Sequence, residues 1–401
     1  MAETIKNIAI WGFGREGQAG QAYLKELHPN ADFTIIEQGN EDSHAEKIAS
    51  GYYDIILKSP GVSLYKPEIQ SALQNGTNVT SGTNLWFERY PDACVVAVTG
   101  TKGKSTTSAI IHHMLQKCGI HSVLAGNIGT PLIEVEPAEV VVAELSSYQI
   151  ADLKHHPEIA VLTNLYEAHL EWHGGRTQYH KDKMRLFDLS EDTTTLISKD
   201  DEVAKAYLKD RDNVLFYGSN TGDLKIPEVL SKPHNIKNIA AALTVVEVLN
   251  AISRLPTNAL MDFEALPHRQ EVIGERDGIT FINDSISTVP ETAAVALESF
   301  NDKPVALILG GEEKGQDYNV VNKAIQKHGN VKVFCIPDSG ILLANRVMNA
   351  EFCDNLETAV QKSQSALNDN GYVILSPGTP SFPIYKNYVE RGEHFRKLCG
   401  F

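Results

Sequence analysis

Apolar residues along this chain come in short, nearly unbroken runs separated by longer amphipathic stretches, and the alternation starts three times. The first set contains Asn7-Ile8-Ala9-Ile10-Trp11, a helical stretch from Gly17 to Leu27, then Phe33-Thr34-Ile35-Ile36-Glu37 and Tyr53-Asp54-Ile55-Ile56-Leu57. The second opens after Pro91-Asp92-Ala93 with Val95-Val96-Ala97-Val98-Thr99, a helix from Ser105 to Gln116, and strands at Ser122–Gly126, Val140–Glu144 and Ile159–Asn164. The third follows Leu266-Pro267-His268-Arg269, with a hairpin-like turn at Asp277-Gly278 and strands at Val305–Leu309, Val331–Phe334 and Tyr372–Leu375. Strands without polar alternation are buried on both faces, as in parallel sheets flanked by helices. The pattern predicts an α/β protein of three domains, 1–91, 92–265 and 266–401.

Length and charge agree with a multidomain enzyme. At about 150 residues per domain, 401 residues allow two to four cores. The net charge of -15 argues against a general nucleic-acid or anionic-membrane partner, so an anionic substrate must meet local cations. The five cysteines (Cys94, Cys118, Cys335, Cys353, Cys399) are scattered without a C-x-x-C pair and read as reduced thiols. The polar start, Met1 to Asn7, runs straight into a strand, and no apolar run reaches membrane-spanning length. A cytoplasmic protein without a signal peptide is expected.

The most informative segment is Gly100-Thr101-Lys102-Gly103-Lys104-Ser105-Thr106, a glycine-framed loop between strand and helix. It reads as a triphosphate cradle. Backbone N–H groups face phosphate oxygens, Lys104 neutralises charge, and Ser105 holds Mg²⁺ at the helix N-terminus. The loop is shorter than the general pattern, which places a Gly where Val98 stands. An earlier turn, Gly12-Phe13-Gly14-Arg15-Glu16-Gly17, matches G-x-G-x-x-G, with Glu37 at the end of the next strand and Ser59-Pro60-Gly61 after the third. On its own it fits NAD, another diphosphate, or no ligand. Strand ends place Asn127, Glu144 and His169 at the edge where parallel sheets do chemistry. Glu144 after four apolar residues suits a Mg²⁺ ligand or a buried ion pair. His169 and Lys183 fit solvated positions as readily as a site.

Taken in order, the phosphate loop, Gly126-Asn127-Ile128-Gly129, Glu144-Leu145-Ser146-Ser147, the His169 loop, the Lys183 helix, His234-Asn235-Ile236-Lys237-Asn238, Leu266-Pro267-His268-Arg269 and Ile282-Asn283-Asp284-Ser285 resemble the Mur ligase family, MurD type, from end to end. The resemblance implies a Rossmann-like UDP-binding domain, a central ATP-binding domain and a Rossmann-like carboxyl-terminal domain. It implies that ATP and Mg²⁺ are used to join glutamate to UDP-N-acetylmuramoyl-L-alanine through an acyl phosphate. Gly100 to Thr106, Asn235, Asn238, Arg269 and Asp284 would meet ATP. Ser105 and Glu144 would bind one Mg²⁺, and His169 with a carbamylated Lys183 a second. Gly14, Arg15, Gly17, Glu37 and Ser59 would meet the UDP-sugar, and Asn127 the UDP-sugar or the acyl phosphate. Thr288, Lys314, Ser381 and Tyr388 would meet glutamate. Closure about a hinge at Phe263-Glu264-Ala265-Leu266 would protect the acyl phosphate from water.

Three departures point to one subgroup. Ile286 stands where the D-glutamate-adding pattern has Lys, Ser376 to Phe382 differs from its closing motif, and Trp172-His173-Gly174 replaces its Asp-Arg continuation. These resemble the variant group that adds L-glutamate and whose product a separate epimerase inverts. The alternatives are a D-glutamate-adding ligase, an NAD-dependent oxidoreductase and a phosphate-loop ATPase switch.

Overall fold

The computed structural model describes residues 5–37, 39–166, 170–264, 266–313 and 316–401, without the side chains of residues 170, 171, 229 and 291. Two compact units divide the chain, Met1–Phe263 and Glu264–Phe401. The division falls within the segment expected to act as a hinge.

The first unit holds two parallel sheets. Strands β1 (Asn7–Trp11), β2 (Asp32–Ile36), β3 (Ile55–Lys58) and β4 (Asn78–Thr80) form a sheet of order β2-β1-β3-β4. Strands β5 (Val95–Thr99), β6 (Ser122–Gly126), β7 (Val140–Glu144), β8 (Ile159–Leu162), β9 (Thr194–Ser198) and β10 (Val214–Tyr217) follow the order β10-β9-β8-β5-β7-β6. The central strands β5, β7 and β8 are buried at every position, which explains why their sequences carry no alternation. Register sets Val98 beside both Glu144 and Val161, so the chain leaving β5 emerges between the ends of β7 and β8.

The second unit carries a third sheet. Strands β11 (Glu271–Arg276), β12 (Ile279–Asn283), β13 (Val305–Gly310), β14 (Val331–Ile336), β15 (Ala350–Phe352) and β16 (Gly371–Leu375) take the order β11-β12-β16-β13-β14-β15. The β11–β12 pair is the antiparallel hairpin turning at Asp277-Gly278, where both residues have positive φ, and the other pairs are parallel. The expected α/β architecture of parallel sheets is therefore present. All five cysteines are free. Among the described residues, no helix is long and apolar enough to cross a membrane.

Candidate active site

The loop after β5 is shaped by two glycines. Gly100 has φ 145°, and a Cβ there would lie 1.9 Å from Thr163 Oγ1; Gly103 has φ 82° and caps the helix Lys104–Lys117. The loop is tied to the segment after β8. Thr101 N donates to Asn164 O at 3.0 Å, Lys102 N to Asn164 Oδ1 at 2.9 Å, and Thr163 Oγ1 to Lys102 O at 2.6 Å. The first N–H groups of the helix have no intrahelical acceptor, which with its dipole makes the loop an anion cradle. Lys104 Nζ donates to Thr101 O at 3.2 Å, Ser105 is buried, and Thr106 follows on the same turn. Asn238 donates to Asn235 Oδ1 at 3.3 Å, and its own Oδ1 would lie 3.0 Å from a Cβ on Gly103. The structure thus brings Gly100 to Thr106, Asn235 and Asn238 together.

Glu144 ends β7 with 1% exposure. Its Oε1 accepts from Asn127 Nδ2 at 2.7 Å, while Oε2 is buried without a hydrogen-bond partner among the described residues. An orphaned carboxylate oxygen beside the strand that feeds the phosphate loop fits a Mg²⁺ ligand. Among the described residues no group of three His, Cys, Asp or Glu forms a ready-made cage. Lys183, on the helix Arg176–Asp188, is 2% exposed and donates to Gly100 O at 3.0 Å. Burial, reinforced by the charge of Lys104 and opposed by Glu144, holds its amine well below the usual lysine range. His169 lies outside the described residues.

In the first sheet, Ser59 Oγ donates to Gly12 O at 2.7 Å, and a Cβ on Gly12 would lie 2.7 Å from Ser59 Oγ. Gly17 packs so closely that its Cβ would lie 2.1 Å from Gly12 O, while Gly14 has open space and caps the helix Arg15–Leu27. Glu37 is exposed just past β2. Arg15 forms a two-pronged ion pair with Glu134, Nε to Oε1 at 2.9 Å and Nη2 to Oε2 at 2.7 Å.

A buried polar cluster between this sheet and the Lys183 helix was not evident from sequence. Lys58, the last residue of β3, lies 3.3 Å from Asp152 Oδ2, within ion-pair range though not aligned as a hydrogen bond. Glu16 beside them is pushed up to about 7 by burial, against the attraction of Lys58. His173 is buried between Asp182, Nδ1 to Oδ2 at 2.5 Å, and Ser147, Nε2 to Oγ at 3.0 Å; Tyr65 donates its hydroxyl to Asp182 Oδ1. Trp172 stacks on Tyr148 at 4.5 Å and donates to Gly61 O at 3.2 Å. The loop after Ser59 is thereby fastened to the helices that carry Ser147 and Lys183. A lysine ending an otherwise apolar strand, Ile55-Ile56-Leu57-Lys58, was the available signal.

In the second unit, Asp284 follows β12. Its Oδ2 accepts from Ser287 Oγ at 2.5 Å and Ser376 Oγ at 2.6 Å, and Oδ1 from Gln270 N at 3.0 Å. Burial raises its pKa to about 6 in spite of these bonds. Arg269 is half-buried between His268 and Gln270, both at positive φ. Thr288 O accepts from Gln316 Nε2 at 3.4 Å, Ser381 is buried, and Tyr388 opens the helix Tyr388–Cys399. Lys314 lies outside the described residues.

Comparison with known proteins decides the family. Residues 98–233 match the Mur ligase middle domain. A relative named UDP-N-acetylmuramoyl-L-alanine--L-glutamate ligase from Xanthomonas oryzae pv. oryzae is 34% identical, over 99% of this chain and 95% of its own. The chain belongs to the Mur ligase family. A Micromonospora relative of the same name is 32% identical over 97% of this chain and 95% of its own. Two Thermotoga maritima structures share the fold: MurC, at TM-score 0.57 and 19% identity over 98% of each chain, and MurF in complex with ADP, at TM-score 0.59 and 18% identity over 99% of this chain and 95% of that one. Family membership sets aside the oxidoreductase and switch alternatives.

Proposed function

We propose that this Mur ligase joins L-glutamate to UDP-N-acetylmuramoyl-L-alanine, consuming ATP and releasing ADP and phosphate, in cytoplasmic synthesis of peptidoglycan precursor. The observation that carries the reading is the near-complete alignment with relatives of that name. Ile286 in place of the lysine of the D-adding pattern supports the enantiomer. A separate epimerase would then invert the product. The partition into domains 1–91, 92–265 and 266–401 belongs to the same proposal, with UDP on Gly14, Arg15, Gly17, Glu37 and Ser59.

The alanine carboxylate attacks the γ-phosphorus of ATP, the bond to the β,γ-bridging oxygen breaks, and ADP leaves. The glutamate amine then adds to the acyl carbon, loses its proton, and expels phosphate. No protein nucleophile is needed, so this chain contributes alignment and charge. Gly100 to Thr106 cradle the phosphates, with Lys104 as the cation at their charge. Asn127 holds one oxygen of Glu144, which leaves the other available to a metal ion. Mg²⁺, when bound by Ser105 and Glu144, offsets phosphate charge. Lys183 is buried against Gly100 O, and as a carbamate it would give, with His169, the oxygen and nitrogen donors of a second Mg²⁺ site.

The test is coupled ADP release with purified UDP-N-acetylmuramoyl-L-alanine and each glutamate enantiomer. The expected result is turnover that requires both substrates and prefers L-glutamate by at least tenfold in kcat/KM. A preference for D-glutamate overturns the enantiomer alone. ADP release independent of glutamate overturns the ligase assignment.

A further inference from the structure

The largest buried cation of the second unit has no carboxylate partner among the described residues. Arg391, on the helix Tyr388–Cys399, is 1% exposed. Its Nε donates to Ser285 Oγ at 3.1 Å, Nη1 to Gly310 O at 3.2 Å and Pro380 O at 3.3 Å, and Nη2 to Ser285 O at 2.9 Å and Thr379 O at 3.1 Å. Guanidinium has five N–H donors, and all five end on neutral oxygens. Burying a charge without an opposite one is costly, and its full set of hydrogen bonds is what makes the position tenable. Burial lowers its pKa to about 10, which leaves it charged at neutral pH.

What the fork holds together is specific. Ser285 lies just past β12, Gly310 ends β13, and Thr379-Pro380 follow β16, so one side chain joins the carboxyl ends of three neighbouring parallel strands. Ser285 Oγ, while accepting from Nε, donates to Tyr388 O at 2.8 Å, which adds the first turn of Arg391's own helix. Gly311 completes the fit. It has φ 146°, and a Cβ there would lie 2.9 Å from Nη1 and 2.1 Å from Pro380 O. The segments so joined carry Thr288, Ser381 and Tyr388.

We propose that Arg391 is the positioning residue of the amino-acid site, holding three strand ends and one helix start in the register that lets Thr288, Ser381 and Tyr388 meet a dicarboxylate amino acid. This rests on the reading of those residues as the glutamate site. Arg391 does not itself touch glutamate, because every N–H it owns is committed. Lysine keeps the charge but supplies three donors from a single point, so it cannot reproduce a planar fork.

The experiment is steady-state kinetics on the full chain, varying one substrate with the other two saturating, for R391K and S285A. R391K should raise the KM for glutamate tenfold or more, with the KM values for ATP and the UDP-sugar within twofold of the parent. S285A, which removes one hydroxyl, should raise the glutamate KM severalfold, with an unchanged far-UV circular dichroism spectrum. An unchanged glutamate KM in a folded R391K overturns the proposal, as does a parallel rise in all three KM values. If R391K fails to fold, S285A decides alone, and a parent-like glutamate KM overturns the proposal. A parent enzyme that ignores glutamate refutes the underlying reading instead. The same variants are then measured on the amino acid that the parent does use.

Discussion

The amine of Lys183 hydrogen-bonds the carbonyl oxygen of Gly100 at 3.0 Å. The helix Arg176–Asp188 is therefore anchored to the first residue of the phosphate loop, at a position where any Cβ would collide with Thr163. An ammonium so placed, with Lys104 near, is a poor companion for metal ions, whereas a carbamate in its place is an oxygen ligand. We predict that K183A is inactive and that short carboxylic acids such as acetate restore part of the rate by filling the vacated space. Carbon-13 NMR of the parent protein in labelled bicarbonate should show a carbamate resonance that K183A lacks. Full activity in K183A counts against the role.

Glu144 offers one satisfied and one orphaned oxygen, so in the proposed Mg²⁺ site its removal would delete a ligand and leave Asn127 without its acceptor. E144A should lose activity on the order of a hundredfold or more, comparable with the loss of a single preorganised electrostatic contact. Raising Mg²⁺ should restore little, because in the proposed site the missing oxygen would be part of the coordination set that fixes the metal. Recovery to the parent rate at high Mg²⁺ would reduce Glu144 to an accessory.

Asp284 carries a pH signature. Its carboxyl is raised from 3.8 to about 6 by burial, so between those values the folded chain holds a proton that the unfolded chain has released. Stability must then fall as pH rises from about 4 to about 6 and level off above that. D284N should remove this slope and stabilise the second unit at pH 7.5 by on the order of 1 to 3 kcal/mol. All three tryptophans, Trp11, Trp86 and Trp172, lie in the first unit. Urea unfolding of D284N and parent at pH 5 and pH 7.5 should therefore be followed by circular dichroism. An equal midpoint difference at both pH values would refute the assignment.

Legibility from sequence followed burial and locality. Strands β5, β7, β8 and β13 could be read because both their faces are covered and their residues are apolar up to the strand ends. The strands not anticipated include short ones at sheet edges, Asn78–Thr80, Val214–Tyr217 and Ala350–Phe352, which at three or four residues give too short a run to show a pattern. The glycine-framed turn from β5 into its helix could be read because its parts are contiguous. Tyr65 with Asp182 and Ser285 with Arg391, separated by 117 and 106 residues, could not, since nothing local distinguishes such a tyrosine or arginine from a surface one.

Arg15 has a different consequence. Its guanidinium is 60% exposed yet already engaged by Glu134, so an arriving anion meets an occupied cation. An exposed pair of this kind is weak, so in the proposed UDP site Glu134 would be a resident competitor for an arriving diphosphate. Added salt loosens the resident and the newcomer together, so ionic strength exerts two opposing influences on this contact and its net affinity is buffered against the salt content of the surroundings.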